Sequence, residues 1–158
     1  MLKLAQKHLA LIMVWLICSA WMPPVAAAER GTAEEAIALV HSAAAFLKTN
    51  GLPKLIDEVN NPKGQFRDRD LYLTVADLKG VNLAHGANPK IKGVDLINVR
   101  DADGKYFVKE RIEMLKTKNS GWVNYTWVNP ANQQMEHKSM YFERFGDISI
   151  QCGIWHAR

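Results

Sequence analysis

Three alternating segments joined by short connections close the sequence, and they constrain the fold more than any other feature. Apolar and polar residues alternate in WVNYTWV, in MEHKSMYFERF and in DISIQCGIW, as expected for strands that have two different faces. The connections NPANQQ and Gly146-Asp147 have the length and composition of hairpin turns. An earlier pair, LYLTVAD and VNLAH, predicts another hairpin over residues 71–85. The pattern predicts an antiparallel sheet of about five strands.

Helical signals precede the sheet. Thr32 and Glu35 form a capping box, and the helix that they begin runs to Asn50-Gly51, a good left-handed stop. Pro53 suits the first turn of a second, short helix, LPKLIDEV, and a third helix is predicted within residues 101–121. Helices that are segregated from hairpin-linked strands indicate an α+β domain, with the long N-terminal helix packed on one face of the sheet.

The stretch GWVNYTW indicates that both faces of this sheet are covered. Alternation directs Val123, Tyr125 and Trp127 to one face, and Trp122 with its alternate neighbours to the other. The first helix can cover one face, and residues 86–119 can fold over the other. A loop covers a sheet less tightly than a helix does. We therefore predict a cavity on the side covered by residues 86–119.

The N-terminus reads as a secretory signal. Lys3 and Lys7 precede a long apolar run that ends in small residues at Ala26–Ala28, so residues 1–28 are predicted to be a cleaved signal peptide. An uncleaved anchor is the alternative, because the run is about the ~20 residues that a spanning helix needs. Residues 29–158 then form a single domain in the periplasm or outside the cell. Cleavage removes two lysines and no acids, so the net charge falls from +4 to +2, and nothing indicates nucleic-acid binding.

Several motifs are discounted as catalytic or metal sites. The mature chain has scattered histidines and none of the familiar hydrolase, zinc-protease or phosphate-loop motifs, so we predict no enzyme and no cofactor. Asp101–Gly104 resembles the start of a calcium loop, but its glycine is two residues early, and we interpret it as a turn with an acidic start to the third helix. On one strand, Cys152 and His156 would lie roughly 13 Å apart, too far for one ion. Cys152 alone is interpreted as a small buried side chain.

A combination of motifs carries a resemblance to a known family. NPKGQF, DLYLTVADLKG, LAH, DADGKYFV, GWVNYTWVNP and a K-x-x-Y strand occur in one order over residues 33–155. In this combination the chain resembles a single Cache sensor domain. The resemblance implies a PAS-like antiparallel sheet on a long N-terminal helix, and a binding site for small organic acids such as acetate, propionate, lactate or pyruvate. The sequence ends at Arg158, so we expect a stand-alone form without an output domain.

The resemblance also implies where a carboxylate ligand binds. Lys138 matches the lysine of the K-x-x-Y strand and is the expected cation. Candidate hydrogen-bond donors and aromatic walls complete the predicted site: Tyr72, His85, Tyr141, Phe66, Trp122, Tyr125 and Trp127. Strict alternation places Lys138 and Tyr141 on opposite faces, so both can line one cavity only if the strand contains a bulge.

Two functions follow as hypotheses. The first is a secreted or periplasmic, non-enzymatic sensor domain that binds an organic acid of about two to four carbons in an apolar pocket. The second is an interaction module that docks onto a membrane-bound signalling or transport partner. A homodimer is compatible with either hypothesis.

Overall fold

The computed structural model describes residues 30–156, and the predicted signal peptide lies outside this range. Within the described residues, no helix is both long enough and apolar enough to cross a membrane.

A long helix, α1 (Ala33–Asn60), opens the described chain. The predicted capping box is present, since Thr32 accepts the backbone N–H of Glu35 and the Glu35 carboxylate accepts the backbone N–H of Thr32. Gly51 interrupts the helix with φ 80° and ψ 166°, a conformation that favours glycine, and Pro53 follows in the first turn of the second part. The two predicted helices are therefore confirmed as two parts of one broken helix.

Within residues 30–156, six antiparallel strands form one sheet. They are β1 (Arg67–Asp68), β2 (Leu71–Asp77), β3 (Asn82–His85), β4 (Ser120–Val128), β5 (Met135–Phe145) and β6 (Ile148–His156). The strand order is β1-β2-β6-β5-β4, and β3 also pairs with β2. The predicted hairpins are confirmed, and the sixth strand is the two-residue β1.

Alternation divides the sheet into a helix face and a cavity face. On the helix face, Leu73, Val75, Ile150 and Cys152 are fully buried in a cluster with α1. On the cavity face, Val123, Tyr125, Met140 and Phe142 are buried in a second cluster with residues that follow β3. Both faces are therefore covered, as the aromatic residues of β4 predicted.

The segment between β3 and β4 covers the cavity face. It contains a short 3₁₀ helix (Pro89–Ile91) and a helix, α2 (Phe107–Leu115). The turn before α2 is tied to the edge strand β4, because the buried carboxylate of Asp101 accepts the backbone N–H groups of Thr126, Asp103 and Lys105. Burial acts to raise the pKa of Asp101, but these hydrogen bonds outweigh it and lower the pKa. The predicted turn at Asp101–Gly104 is confirmed. The predicted acidic start to the helix is wrong for Asp101, which lies six residues before α2 and instead bonds to the edge strand β4.

A buried carboxylate also fixes the residue that leads into α1. Glu136, which is 4% exposed, accepts both ends of the Arg30 guanidinium at 2.8 and 2.9 Å. It also accepts the side-chain amides of Asn129 and Asn132 from the β4–β5 turn, each at 2.8 Å. The hydrogen bonds from Arg30, followed by those from the asparagines, outweigh burial and lower the pKa of Glu136 to about 2.

Replacement of Glu136 by glutamine is expected to destabilise the domain at pH 7 by about 1–3 kcal/mol, because a charged acceptor of four hydrogen bonds is lost. A carboxylate with a lowered folded pKa stabilises above its unfolded pKa, and that contribution is lost as the pH falls through the folded value, about 2. Urea unfolding from pH 7 to 2 should therefore show the two proteins converging. Glu113→Gln, in an exposed pair with Lys116, should differ little from wild type. A constant gap between wild type and Glu136→Gln at every pH would contradict the prediction.

Candidate functional site

A cavity of about 500 Å³ lies between the cavity face of the sheet and the segment that covers it. Its floor is formed by residues of β2, β3, β4, β5 and β6, and its cover by residues 87–111. The half-exposed side chains of Trp127 and Val128 lie at its mouth. The prediction of a cavity on the loop-covered side of the sheet is confirmed.

Lys138 projects from the middle of β5 into this cavity. Its side chain is 2% exposed, and Nζ donates a hydrogen bond to the Tyr72 hydroxyl at 2.7 Å. The amine also lies 4.4 Å from the ring centroid of Tyr72 and 4.3 Å from that of Trp155. Burial lowers the pKa of Lys138 to about 7, so the amine titrates near neutral pH.

Arg111 is a second cation in the cavity lining. It lies one turn beyond Phe107 on the inner face of α2 and is 4% exposed. Burial lowers its pKa to about 10, which leaves it charged at neutral pH. Within residues 30–156, its Nε has no hydrogen-bond partner. A buried donor without a partner is costly and is a rare feature of a folded protein.

His85 supplies a neutral donor. Its Nδ1 accepts the backbone N–H of Asn88 at 2.9 Å, so the neutral ring carries its proton on Nε2. Burial, followed by the positive charge of Lys138, lowers the pKa of His85 to about 4. The Asn60 side chain accepts the backbone N–H of His85 at 3.0 Å, which anchors the end of β3 to α1. The ring is therefore a fixed, uncharged hydrogen-bond donor at neutral pH.

Aromatic rings form the apolar wall. Phe107 of α2 stacks on Tyr125 of β4 with a centroid distance of 4.1 Å and an interplanar angle of 9°. Trp127 meets Phe107 edge-on at 5.5 Å. Each such pair contributes about 0.5–1.5 kcal/mol beyond the area that it buries. The stack joins the cover to the sheet.

The charged residues that line the cavity are all positive. Lys138 and Arg111 both line it, and no aspartate or glutamate does so in the part of the chain that the structure describes. Neither cation forms an ion pair with a carboxylate among residues 30–156. Since buried charges are normally paired, this cavity has the chemistry of an anion site with apolar walls.

Five of the residues predicted for the site lie together here, namely Tyr72, His85, Tyr125, Trp127 and Lys138. The other three lie on the helix face, where the structure contradicts their placement in the cavity. Trp122 and Tyr141 pack against each other there at 5.3 Å, and Phe66 packs edge-on against Phe46 of α1 at 5.5 Å. The pairing of β5 continues without a bulge from Met135 to Phe145, so Tyr141 cannot share a face with Lys138.

The sequence interpretation missed Arg111, although a signal was present. Phe107, Val108 and Leu115 are the buried positions of α2, and Arg111 falls in the middle of the same stripe. A charged residue among the apolar positions of an amphipathic helix is buried against its neighbours when the helix packs. Such a residue is a candidate for contact with a ligand of opposite charge.

A second groove, also of about 500 Å³, lies beside the turn before α2. Its polar side chains bond mainly to one another. Asp103 and His137 both contact the Thr126 hydroxyl, at 2.8 and 3.1 Å, and Ser139 contacts His156 at 2.7 Å. Within residues 30–156, no cluster of three or more histidine, cysteine or acidic residues has the geometry of a metal site. This groove is the weaker candidate for ligand binding.

The family model for Single Cache domain 2 matches residues 28–153. A methyl-accepting chemotaxis protein of Pseudomonas putida, McpP, is 33% identical over 78 residues, which are 49% of this chain. The match spans only 14% of the length of that receptor.

Two solved structures share the fold. One is a Cache chemosensory domain studied for the structural basis of carboxylic acid recognition, with a TM-score of 0.68 and 22% identity over 78% of this chain and 92% of that chain. The other is a periplasmic sensor domain of a chemotaxis protein, with a TM-score of 0.61 and 21% identity over 78% of this chain and 90% of that chain. At these identities the likeness establishes the fold.

Proposed function

This chain belongs to the single Cache domain family, and we propose that it is an extracytoplasmic, non-enzymatic sensor domain. Its ligand is a small organic acid of about two to four carbons, bound in the cavity between the sheet and its cover. The relatives that share its family or fold include chemotaxis receptors and a periplasmic sensor domain. One of the structures with the same fold was studied for carboxylic acid recognition.

Two buried cations line the cavity and no aspartate or glutamate of residues 30–156 does, and this is the observation that carries the proposal. An unpaired charge out of water costs several kcal/mol, and a ligand carboxylate would offset part of that cost at both cations. The free Nε of Arg111 is a donor that such a ligand would satisfy.

The geometry suggests how the acid is held. The Lys138 ammonium would approach the carboxylate from the sheet and the Arg111 guanidinium from α2, with charge-assisted hydrogen bonds from both. The phenol of Tyr72, whose pKa burial raises well above its usual value, and the neutral ring of His85 are further donors near Lys138. The short apolar tail of the acid would contact the stacked rings of Phe107 and Tyr125.

A thermal-shift panel of acetate, propionate, butyrate, lactate and pyruvate tests the proposal. At about 100 times its dissociation constant, a ligand adds about 2.7 kcal/mol of stability, which for a domain of this size raises Tm by roughly 10 °C. The matched neutral amides, such as propionamide, should have no effect because they lack the charge. Acids that all leave Tm unchanged at millimolar concentration would contradict the proposal. In that case, capture of a membrane-bound signalling protein would favour the docking function.

A further inference from the structure

Gly153 occupies the cavity face of β6, directly opposite Met140 and next to the pair formed by Lys138 and Trp155. Its backbone does not require glycine, since Gly153 is not among the glycines with positive φ. Glycine in the interior of a strand weakens the strand, and it commonly marks a place where another group must approach closely.

The group that approaches is the stem of Lys138. A Cβ atom placed at Gly153 would lie 2.0 Å from Cε of Lys138, 3.1 Å from Nζ and 3.2 Å from Cδ. The lysine stem therefore occupies the space that any side chain at this position would fill. This path brings Nζ to the Tyr72 hydroxyl and over the ring of Trp155.

We propose that Gly153 is a positioning residue, whose missing side chain leaves the slot that holds the Lys138 amine at the end of the cavity. The expected effect of Gly153 on ligand affinity rests on the proposed carboxylate-binding function. Alanine at this position would displace the amine from Tyr72. The displaced atoms are the far end of a flexible side chain, so the lysine moves while the strand keeps its place.

Gly153→Ala tests the positioning directly, without any ligand. In protein labelled with ¹³C-lysine, the Hε protons of Lys138 should be shifted by the two nearby rings, and the signal is identified by its absence in Lys138→Met. In Gly153→Ala this signal should move toward those of the other lysines, which should not change. An unmoved Lys138 signal in a folded Gly153→Ala protein would overturn the proposal.

Ligand binding provides the second readout. The acid that stabilises the wild type should bind Gly153→Ala roughly 10- to 100-fold more weakly. Gly146→Ala is the control, because Gly146 lies in the turn between the same two strands, with φ 63° and open space around its Cβ position. It should lower the stability while leaving the Lys138 signal and the affinity unchanged. If wild type binds no acid but the Lys138 signal moves in Gly153→Ala, the positioning holds and the proposed function fails.

A double variant covers the case in which Gly153→Ala does not fold. Adding Lys138→Ala to Gly153→Ala removes the lysine stem that the new Cβ would meet, so a folded double variant would support the proposal. If the double variant is unfolded while Lys138→Ala alone is folded, then alanine at position 153 destabilises β6 even without the lysine, and this result would overturn the proposal.

Discussion

Replacement of Lys138 by methionine is expected to lower the affinity for the carboxylate ligand by at least ~30-fold, and by more than ~1,000-fold if the ammonium is the main partner of the ligand. Removing one member of a buried, hydrogen-bonded charge pair costs about 2–5 kcal/mol or more. Methionine is close to lysine in length, so the cavity keeps its shape while the charge is lost. Isothermal titration calorimetry of both proteins at pH 6.5 measures the difference.

This variant separates binding from folding. Exchange of a buried cation for an apolar side chain of similar volume is often neutral or stabilising, so the Tm of Lys138→Met without ligand should not fall. Lys105→Met is the matched control, because Lys105 pairs with Glu110 outside the main cavity and should leave the affinity unchanged. An unaltered affinity in Lys138→Met would show that Lys138 does not contribute to ligand binding.

Affinity for the acid should decrease as the pH rises above 7. The amine of Lys138 has a pKa of about 7 in the empty cavity because it is buried, and the carboxylate binds its protonated form. Below pH 7 the amine is already charged, so the affinity should level off there. Above pH 7 each unit costs up to about tenfold in affinity, because a proton must be taken up on binding. Calorimetry at pH 8.5 in two buffers of different ionisation enthalpy should show uptake of about one proton.

Lys138→Arg is the control for this pH dependence, because arginine stays charged over the whole range. The dissociation constant of Lys138→Arg should be nearly the same from pH 6 to pH 9, even if it differs from that of the wild type. Wild-type affinity that is equally constant over this range would contradict protonation of Lys138 as the origin of the effect.

The sequence predicted the sheet and the division of its faces because strand alternation is a local property. The alternation in β4 correctly separated Tyr125 and Trp127 from Trp122. It could not indicate which of these two sets faced the loop-covered side, because both faces are aromatic. The resemblance to Cache domains supplied Lys138, and the placement of Tyr141 in the same cavity required a bulge that β5 does not contain.

The cover of the cavity was less predictable. Residues 86–106 form little regular structure, and their path depends on tertiary hydrogen bonds that leave no periodic signal. One example is Asp101, whose carboxylate bonds to the backbone of β4, a strand that begins about twenty residues later. Arg111 acquires its place in the cavity only when this segment folds over the sheet. Its position in the apolar stripe of α2 was the one local sign of that outcome.

A crystal structure of the domain, grown at pH 6 with the acid that gives the largest thermal shift, tests the central claim most directly. We expect one carboxylate in the main cavity, with its oxygens within about 3 Å of Lys138 Nζ and of the Arg111 guanidinium. A cavity filled by the protein's own side chains, or an acid bound elsewhere with Lys138 turned toward solvent, would contradict it.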